Sequence, residues 1–517
     1  MRTADQPRPL RRTQLALAAI AGIFLIALIA VAAWVGVRGA LAYGELREAE
    51  ASARSAVDSL ADPAAAAPHI TEVADHAATA RELTSDPVWS LAEGTPWIGP
   101  QLRAVGTIAA AADDIARDGL LPLADVASAF SPDAFRPVDG RIDTAVFREI
   151  AEPARAGADT VAAAAESVRA LDDTPLMRPV RAAVDEVSEL LDTGASATDA
   201  LARASTLLPA MLGSSGERTY LLAFQNNAEW RSTGGIVGAM AIVKTADGRI
   251  ELAGQASSSD FSNFGEPVLS LDPEIERIYE TRPGRYIQNV TQIPDFSVGG
   301  PLAREMLLRQ TGQSVDGVIA TDPVALSYIL EATGPVELPT GDVVSADNAV
   351  PLLLNDVYSR YESPRDQDAF FAAASAAVFE RLASGAADPA KLIAALGRAG
   401  DERRLLLWSA IPEDQAVLAD TTLAGPLPDT DADTAAFGVF LNDGTGSKMD
   451  YYLTADTRLA WETCAVGGDG RTSSPVTLEV TIANNAPADA ATSLPSYVTG
   501  GGAFGVPAGV ARTVAYL

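Results

Sequence analysis

The sequence predicts a multidomain α+β protein with four parts: one N-terminal transmembrane helix, a helical stalk or bundle, a layered α/β domain and a C-terminal β-sandwich. Three observations predict it. An uninterrupted apolar run fills residues 15–37. An alanine-rich stretch with helical spacing follows over residues 43–212. Short apolar strands then alternate with capped helices over residues 218–398, and apolar–polar alternation takes over in residues 402–517.

The totals narrow the possible functions. The chain has 517 residues, 48% of them hydrophobic, which is material for several buried cores. Its formal net charge of −30 argues against a nucleic-acid partner, because phosphate binding rests on clustered Lys and Arg. Cys464 is the only cysteine, so an intramolecular disulfide and a Cys-based zinc site are both excluded. His69 and His76 are the only histidines. Beyond residue 76, Ser-His-Asp or Cys-His chemistry would need one of them to fold back. Otherwise any chemistry there falls to carboxylates, Arg, Lys, Tyr, Ser or an oxygen-bound metal.

The run LALAAIAGIFLIALIAVAAWVGV (15–37) exceeds the roughly 20 residues that cross a bilayer. Arg2, Arg8, Arg11 and Arg12 precede it, and Glu45, Glu48 and Glu50 follow Arg38. This asymmetry predicts a single-pass protein of the cell membrane, with tail 1–14 cytoplasmic and the bulk extracytoplasmic. Trp34 falls near the outer end. Ala40-Leu41-Ala42 matches a signal-peptidase pattern, but the apolar core is longer than the roughly 15 residues of a signal h-region, which favours an uncleaved anchor.

In the helical region, Val180, Val184, Val187 and Leu191 recur at steps of four, three and four, a bundle or coiled-coil seam through which the stalk could oligomerise. Gly194 is the expected helix stop. Prolines and glycines make residues 86–102 an elbow, where Trp89 and Trp97 are expected to pack on neighbouring helices. Next, TYLLAFQN (219–226) reads as a strand, and residues 236–256 read as a hairpin turning at Asp247-Gly248. Helix 302–312, strand 315–322 and helix 322–334 follow, the last with Asp322 as N-cap, Pro323 at N1 and Gly334 as stop. A strand at 335–338 and helices at 346–361 and 367–384 complete the α/β pattern. The final RTVAYL falls within a strand pattern, either the terminal strand or, the reading favoured here, a strand cut short in a fragment.

Four segments are candidate sites. QNNAEWRSTGG (225–235) lies between two apolar strands. Gly234 and Gly235 allow close backbone approach, Arg231 is suited to gripping a phosphate or carboxylate, and Asn226 and Asn227 offer neutral hydrogen bonds. The segment reads equally as a tight turn with Asn side chains capping their own backbone. In SSSDFSNF (257–264), Asp260 is a candidate Mg²⁺ ligand or a member of a capped surface loop. Residues 282–296, with Asn289, are either a substrate-facing loop or a crossover. Arg360 and Arg365 are spaced to clamp a pyrophosphate or to form salt bridges in a surface turn.

YLLAFQNNAEWRSTGGIVG, TGQSVDGVIATDPVALSYILEATGPVEL and ADNAVPLLLNDVYSRY resemble the core of the bacterial envelope family called domain of unknown function 4012, and DPVWSLAEGTPWIGPQLRAV resembles its helical leader. That resemblance implies no activity. More distantly, the chain is similar to the LytR-CpsA-Psr phosphotransferases, which attach polyprenyl-pyrophosphate-linked glycopolymers to peptidoglycan. The corresponding positions are Arg231, Asp260, Asn289, Gly299-Gly300, Val315-Asp316, Gly334, Arg360 and Arg365. Ser259 stands where that family has an arginine, Thr233-Gly234-Gly235 where an acid is expected, and FFAAASAAVF where an Arg-rich helix is expected. The expected function is therefore binding of an anionic envelope ligand, a lipid-linked glycan or wall polymer, without turnover. The alternatives are a metal-assisted phosphotransferase and a sensor or scaffold acting through its stalk.

Overall fold

The computed structural model describes residues 10–59, 63–128, 136–172, 174–428, 430–431, 434–466 and 472–517. Arg2 and Arg8 of the expected tail lie outside the described residues. The chain forms two compact units, Met1–Ala134 with Ala145–Leu208, and Phe135–Thr144 with Pro209–Leu517.

The first unit is helical: α1 (Leu10–Asp58), α2 (Pro63–Thr84), α3 (Pro87–Glu93), α4 (Gly99–Asp114), α5 (Leu121–Ser128), α6 (Ala145–Arg169) and α7 (Arg178–Met211). No proline interrupts Leu10–Asp58, so the expected span and the start of the expected stalk are one helix. Its segment Ile20–Ala56 is long and apolar enough to cross a membrane, a property it shares with signal sequences. Of the seam residues, Val184 and Leu191 are buried, and Val180 and Val187 pack beside them. Their partners are Ala104, Ala111, Ala164, Ala165 and Val168, so the seam is used inside the unit.

Two expectations fail in this unit. Gly194 does not stop the helix. It lies within α7, where a Cβ would sit at ordinary contact distance, 3.7 Å, from Val161 Cγ1, and the packing of α7 on α6 carries the helix through a weak helix former. Of the two elbow tryptophans only Trp89 is buried; Trp97 adopts a left-handed φ of 69° and is 88% exposed.

The second unit is built on a five-stranded sheet of order β3-β2-β1-β4-β7. Its strands are β1 (Arg218–Arg231), β2 (Gly234–Ala246), β3 (Arg249–Ser257), β4 (Gly317–Thr321) and β7 (Leu405–Ser409); the short β5 (Val336–Glu337) and β6 (Val343–Val344) pair apart from it. β1 and β4 run parallel and the other neighbours antiparallel. The Asp247-Gly248 turn joins β2 to β3 with both residues at positive φ. After α8 (Pro273–Tyr279), α9 (Phe296–Thr311) covers one sheet face, where Phe296, Leu302 and Met306 meet Leu221, Ala223, Val318 and Leu406. The helix Pro364–Ala383 packs on β2 and β3. Between them α10 (Pro323–Thr333) starts as expected, with Asp322 Oδ1 accepting the Ala325 amide at 2.8 Å.

β1 is longer than the predicted strand. It continues through residues 227–231, beyond the predicted end at Asn226, and returns through a two-residue turn at Ser232-Thr233. Asn227, Ala228 and Glu229 bulge from the ladder between the Asn226–Ile236 and Trp230–Gly235 pairs. A second correction concerns residues 402–517, where no sandwich forms among the described residues. β7 joins the main sheet instead. β8 (Phe440–Asp443) pairs with β13 (Thr513–Tyr516), β9 (Leu453–Trp461) with β12 (Val476–Asn484), and β10 (Ala465–Val466) with β11 (Thr472–Ser473). The β9–β12 ribbon is exposed along nearly its whole length, so its alternation does not mark a buried face.

Replacing Gly194 by Ala should therefore stabilise the full-length protein by about 0.5–1 kcal/mol, since a mid-helix glycine gains helix propensity without a clash. Denaturant unfolding in detergent followed by helical circular dichroism reads the shift, and a stop glycine would give the opposite sign.

Candidate functional site

The C-terminal ends of the parallel strands β1 and β4 carry two polar centres, separated by the bulge. Ligands of open α/β sheets collect at this edge, outside the carboxyl ends of the strands.

The first centre is buried. Glu229 accepts from Arg231 Nη2 at 2.7 Å and from Lys448 Nζ at 2.8 Å, and all three side chains are 9% exposed. Arg231 Nη1 donates to its neighbour's carbonyl, Trp230 O, at 2.8 Å, and Nη2 reaches Asn289 Oδ1 at 3.5 Å. Asp450 Oδ2 accepts the Trp230 amide at 2.8 Å, while Oδ1 is buried without a partner. Burial alone would raise the Glu229 pKa, but Lys448 and Arg231 together hold it below the usual carboxylate range. Burial alone would lower Lys448, but Glu229 more than offsets it and the ammonium is stabilised. Asp450 differs: burial, reinforced by Asp443, pushes its pKa up to about 7.

The second centre is an open cleft of about 200 Å³. Its polar lining includes Asn227, Ser232, Thr233, Asp322, Glu402, Arg403 and Arg404, with Gly234 at its wall and Leu406 and Phe440 among the apolar residues. It collects three strand ends: the bulge of β1, the exit of β4 and the entry of β7. Asp322 Oδ2 accepts from Asn227 Nδ2 at 2.9 Å and from Arg404 Nη1 at 2.7 Å. Arg404 Nε donates to Glu402 at 2.8 Å. Hydrogen bonds from Arg404, Tyr328 and Arg398 bring the Glu402 pKa down to about 2, against a smaller upward push from burial. Asn227 Oδ1 is buried and unpartnered. Arg403 is exposed and donates one bond, Nη1 to Pro426 O at 2.9 Å.

The residues expected at one anion pocket are thus distributed. Asn226 donates to the Tyr358 hydroxyl and accepts the Ala228 amide at 3.1 Å. Arg231 and Asn289 belong to the buried centre, and Asn227 and Gly234 to the cleft. The two glycines are explained by contact rather than by an anion nest. A Cβ on Gly234 would lie 2.2 Å from Gln225 Oε1, and one on Gly235 would lie 2.4 Å from the Asn226 carbonyl carbon. The amides here are already used: Gly235 donates to Gln225 Oε1 at 2.7 Å, Thr233 to Thr291 O at 3.2 Å, and Ser232 to Asn442 Oδ1 at 3.1 Å. Arg360 is exposed and held by Asp342 at 2.5 Å, and Arg365 is exposed. Asp260 forms a capping box with Ser257, whose amide it accepts at 2.8 Å. Among the described residues no group of three or more His, Cys, Asp or Glu is placed to hold a metal ion.

Sequence reasoning missed Lys448, Asp450, Arg403 and Arg404. One signal was present: the chain has only three lysines, Lys244, Lys391 and Lys448. One of these sits inside NDGTGSKMD (442–450), a turn-rich segment with no helical or strand period.

The fold and site define a mixed α+β protein with one apolar N-terminal helix and a polar cleft at the strand ends. Over residues 215–358 the chain matches the family described as protein of unknown function (DUF4012). No curated protein and no solved structure matches it.

Glu229→Gln leaves Lys448 and Arg231 buried with no carboxylate between them and is expected to destabilise the protein by about 3–5 kcal/mol, the range for stranding a buried charge. Lys448→Met, which leaves the Glu229–Arg231 pair intact, should cost less in denaturant unfolding. Asp450 makes a separate, pH-dependent contribution. Its folded pKa lies above the unfolded value of about 3.9, so the stability it adds is complete below about pH 4 and is lost as pH rises to 7. Asp450→Asn should therefore gain on the native protein by up to about 1.4 kcal/mol per pH unit across that window, read as the difference between the two stability–pH curves.

Proposed function

We propose that the protein is a membrane-anchored, extracytoplasmic binding protein whose cleft holds one anionic, hydroxyl-bearing group of a cell-envelope polymer without turning it over. The cleft between Asn227 and Arg403 carries this reading. Asn227 and Thr233 line the cleft with neutral polar groups suited to the hydroxyls of a sugar. Arg403 has further guanidinium N–H groups to offer a phosphate or carboxylate, whereas Arg404 is neutralised by Asp322 and Glu402. At about 200 Å³ the space suits one monosaccharide- or phosphate-sized group and is too small for a polyprenyl chain. A wall polymer is therefore the better occupant than the lipid portion of a lipid-linked glycan. The arginine run before the anchor and the acidic residues after it support an extracytoplasmic position for the unit.

Calorimetric titration of the full-length protein in detergent with fragments of an anionic wall glycopolymer should give saturable binding, absent with a neutral polysaccharide of the same length. Arg403→Ala should weaken it about tenfold, the loss of one charge-assisted contact. Equal binding of the neutral polymer, or no effect of the substitution, would count against the reading. Mg²⁺-dependent consumption of a polyprenyl-pyrophosphate glycan would favour the phosphotransferase instead.

A further inference from the structure

We propose that the elbow between α3 and α4 inserts into the outer headgroup layer of the same membrane that α1 crosses, presenting Leu91, Trp97 and Ile98 to lipid. The inference rests on the anchor reading of α1. The elbow exposes large apolar side chains: Leu91 is 75% exposed, Trp97 88% and Ile98 60%. Residues 87–102 carry a single charge, Glu93, in a chain whose composition is 21% charged. Exposed apolar groups without neighbouring charge are poor solvent surface and good bilayer-interface surface.

The position of the elbow along α1 identifies what covers it. Arg38 immediately follows the apolar run, and its side chain is fixed by two hydrogen bonds and one ion pair. Nε donates to Leu83 O at 2.9 Å, Nη2 donates to Glu82 O at 2.6 Å, and the guanidinium pairs with the Asp86 carboxylate at 2.9 Å. These groups are carbonyls of the last turn of α2 and the N-cap of α3, so both helix ends meet α1 at this one level. Trp89 then packs on Val35, with its ring 3.5 Å from where a Gly39 Cβ would be. Gly39 lies only about 3 Å beyond the end of the apolar run, at 1.5 Å of rise per residue. The headgroup layer is about 5–8 Å deep on each side of the hydrocarbon core. A segment docked at residues 35–39 is therefore within that layer. Trp34, 48% exposed with Arg38 stacked over its ring at 5.2 Å, lies at the same level, and tryptophan favours this zone. The strained left-handed φ of 69° at Trp97 turns the indole outward, a conformation that core packing would not require.

The test uses the full-length chain in phosphatidylcholine vesicles with Cys464→Ser and one new cysteine carrying a nitroxide: Leu91→Cys, Trp97→Cys or, as a solvent reference, Ala163→Cys, whose position is exposed on α6. Oxygen should relax labels 91 and 97 several-fold more effectively than a water-soluble nickel chelate, with the reverse order at 163. Using two elbow positions guards against one variant failing to insert. Nickel-dominated relaxation at both, in protein that resists carbonate extraction, would overturn the elbow proposal and leave the anchor standing. Release by carbonate would overturn both. Spin–spin broadening that grows with protein density would assign the elbow to a second copy and overturn the lipid assignment.

Discussion

The contact on which the second unit depends is the buried triad Lys448–Glu229–Arg231. Two cations share one carboxylate in a space closed to water, so removing that carboxylate strands both cations at low dielectric. The strength of such a triad over a well-packed apolar core is doubtful, because desolvation cancels most of the Coulomb gain. Its geometric demand is not. Glu229 reaches Lys448 only if it projects from the ladder, and it projects only because three residues bulge between Asn226 and Trp230. The ion triad, the bulge and the placement of the 442–450 segment are therefore one constraint. Asp450 on the Trp230 amide and Asn442 on the Ser232 amide repeat that demand at the next two residues.

That constraint also shapes the cleft. The bulge that sends Glu229 inward leaves Asn227 beside Asp322, at the rim shared by β1, β4 and β7. The stretch matched to the family ends at Tyr358, whereas Lys448, Asp450, Arg403 and Arg404 come from later in the chain. The matched segment provides Glu229 and Arg231 to one centre and Asn227 and Asp322 to the other, and the later segments add Lys448 and Asp450 to the first and Glu402, Arg403 and Arg404 to the second. Neither half alone makes a satisfied site.

Where a local rule was sufficient, the sequence was readable. Asp322-Pro323 and Gly334 bound α10 because capping is a property of adjacent residues. Asp247-Gly248 turns because two positive φ values are needed there. Reading failed where tertiary contact reversed the local meaning. Gly194 looks like a stop, but the packing of α7 on α6 carries the helix through it. Gly234-Gly235 look like an anion nest, yet close approach by Gln225 and Asn226 explains them. Asp260 looks like a metal ligand and caps a turn. The largest loss was the end of β1: bulges break the period-two pattern, so residues 227–231 read as loop. The buried triad escaped because its partners are separated by 219 residues, and no local periodicity links them.

A net charge of −30 appears to oppose an anionic ligand, and the length scales resolve the conflict. Repulsion from distant carboxylates acts over many ångströms and is screened within about 8 Å at physiological ionic strength. A guanidinium in contact with its anion is screened far less. At the cleft Asp322 and Glu402 are balanced by Arg404 and Arg398, so the local field near Arg403 is set by Arg403 itself. Salt would then act in two opposite ways on the proposed complex, relieving the global repulsion first and weakening the local contact only at higher concentration. Such a ligand should bind more tightly on going from very low to moderate ionic strength. A basic protein that binds through its overall field weakens from the first addition of salt. In the proposed complex the acidic surface would slow the arrival of an anionic polymer and lower its affinity at low salt, while contacts within the cleft would oppose its release.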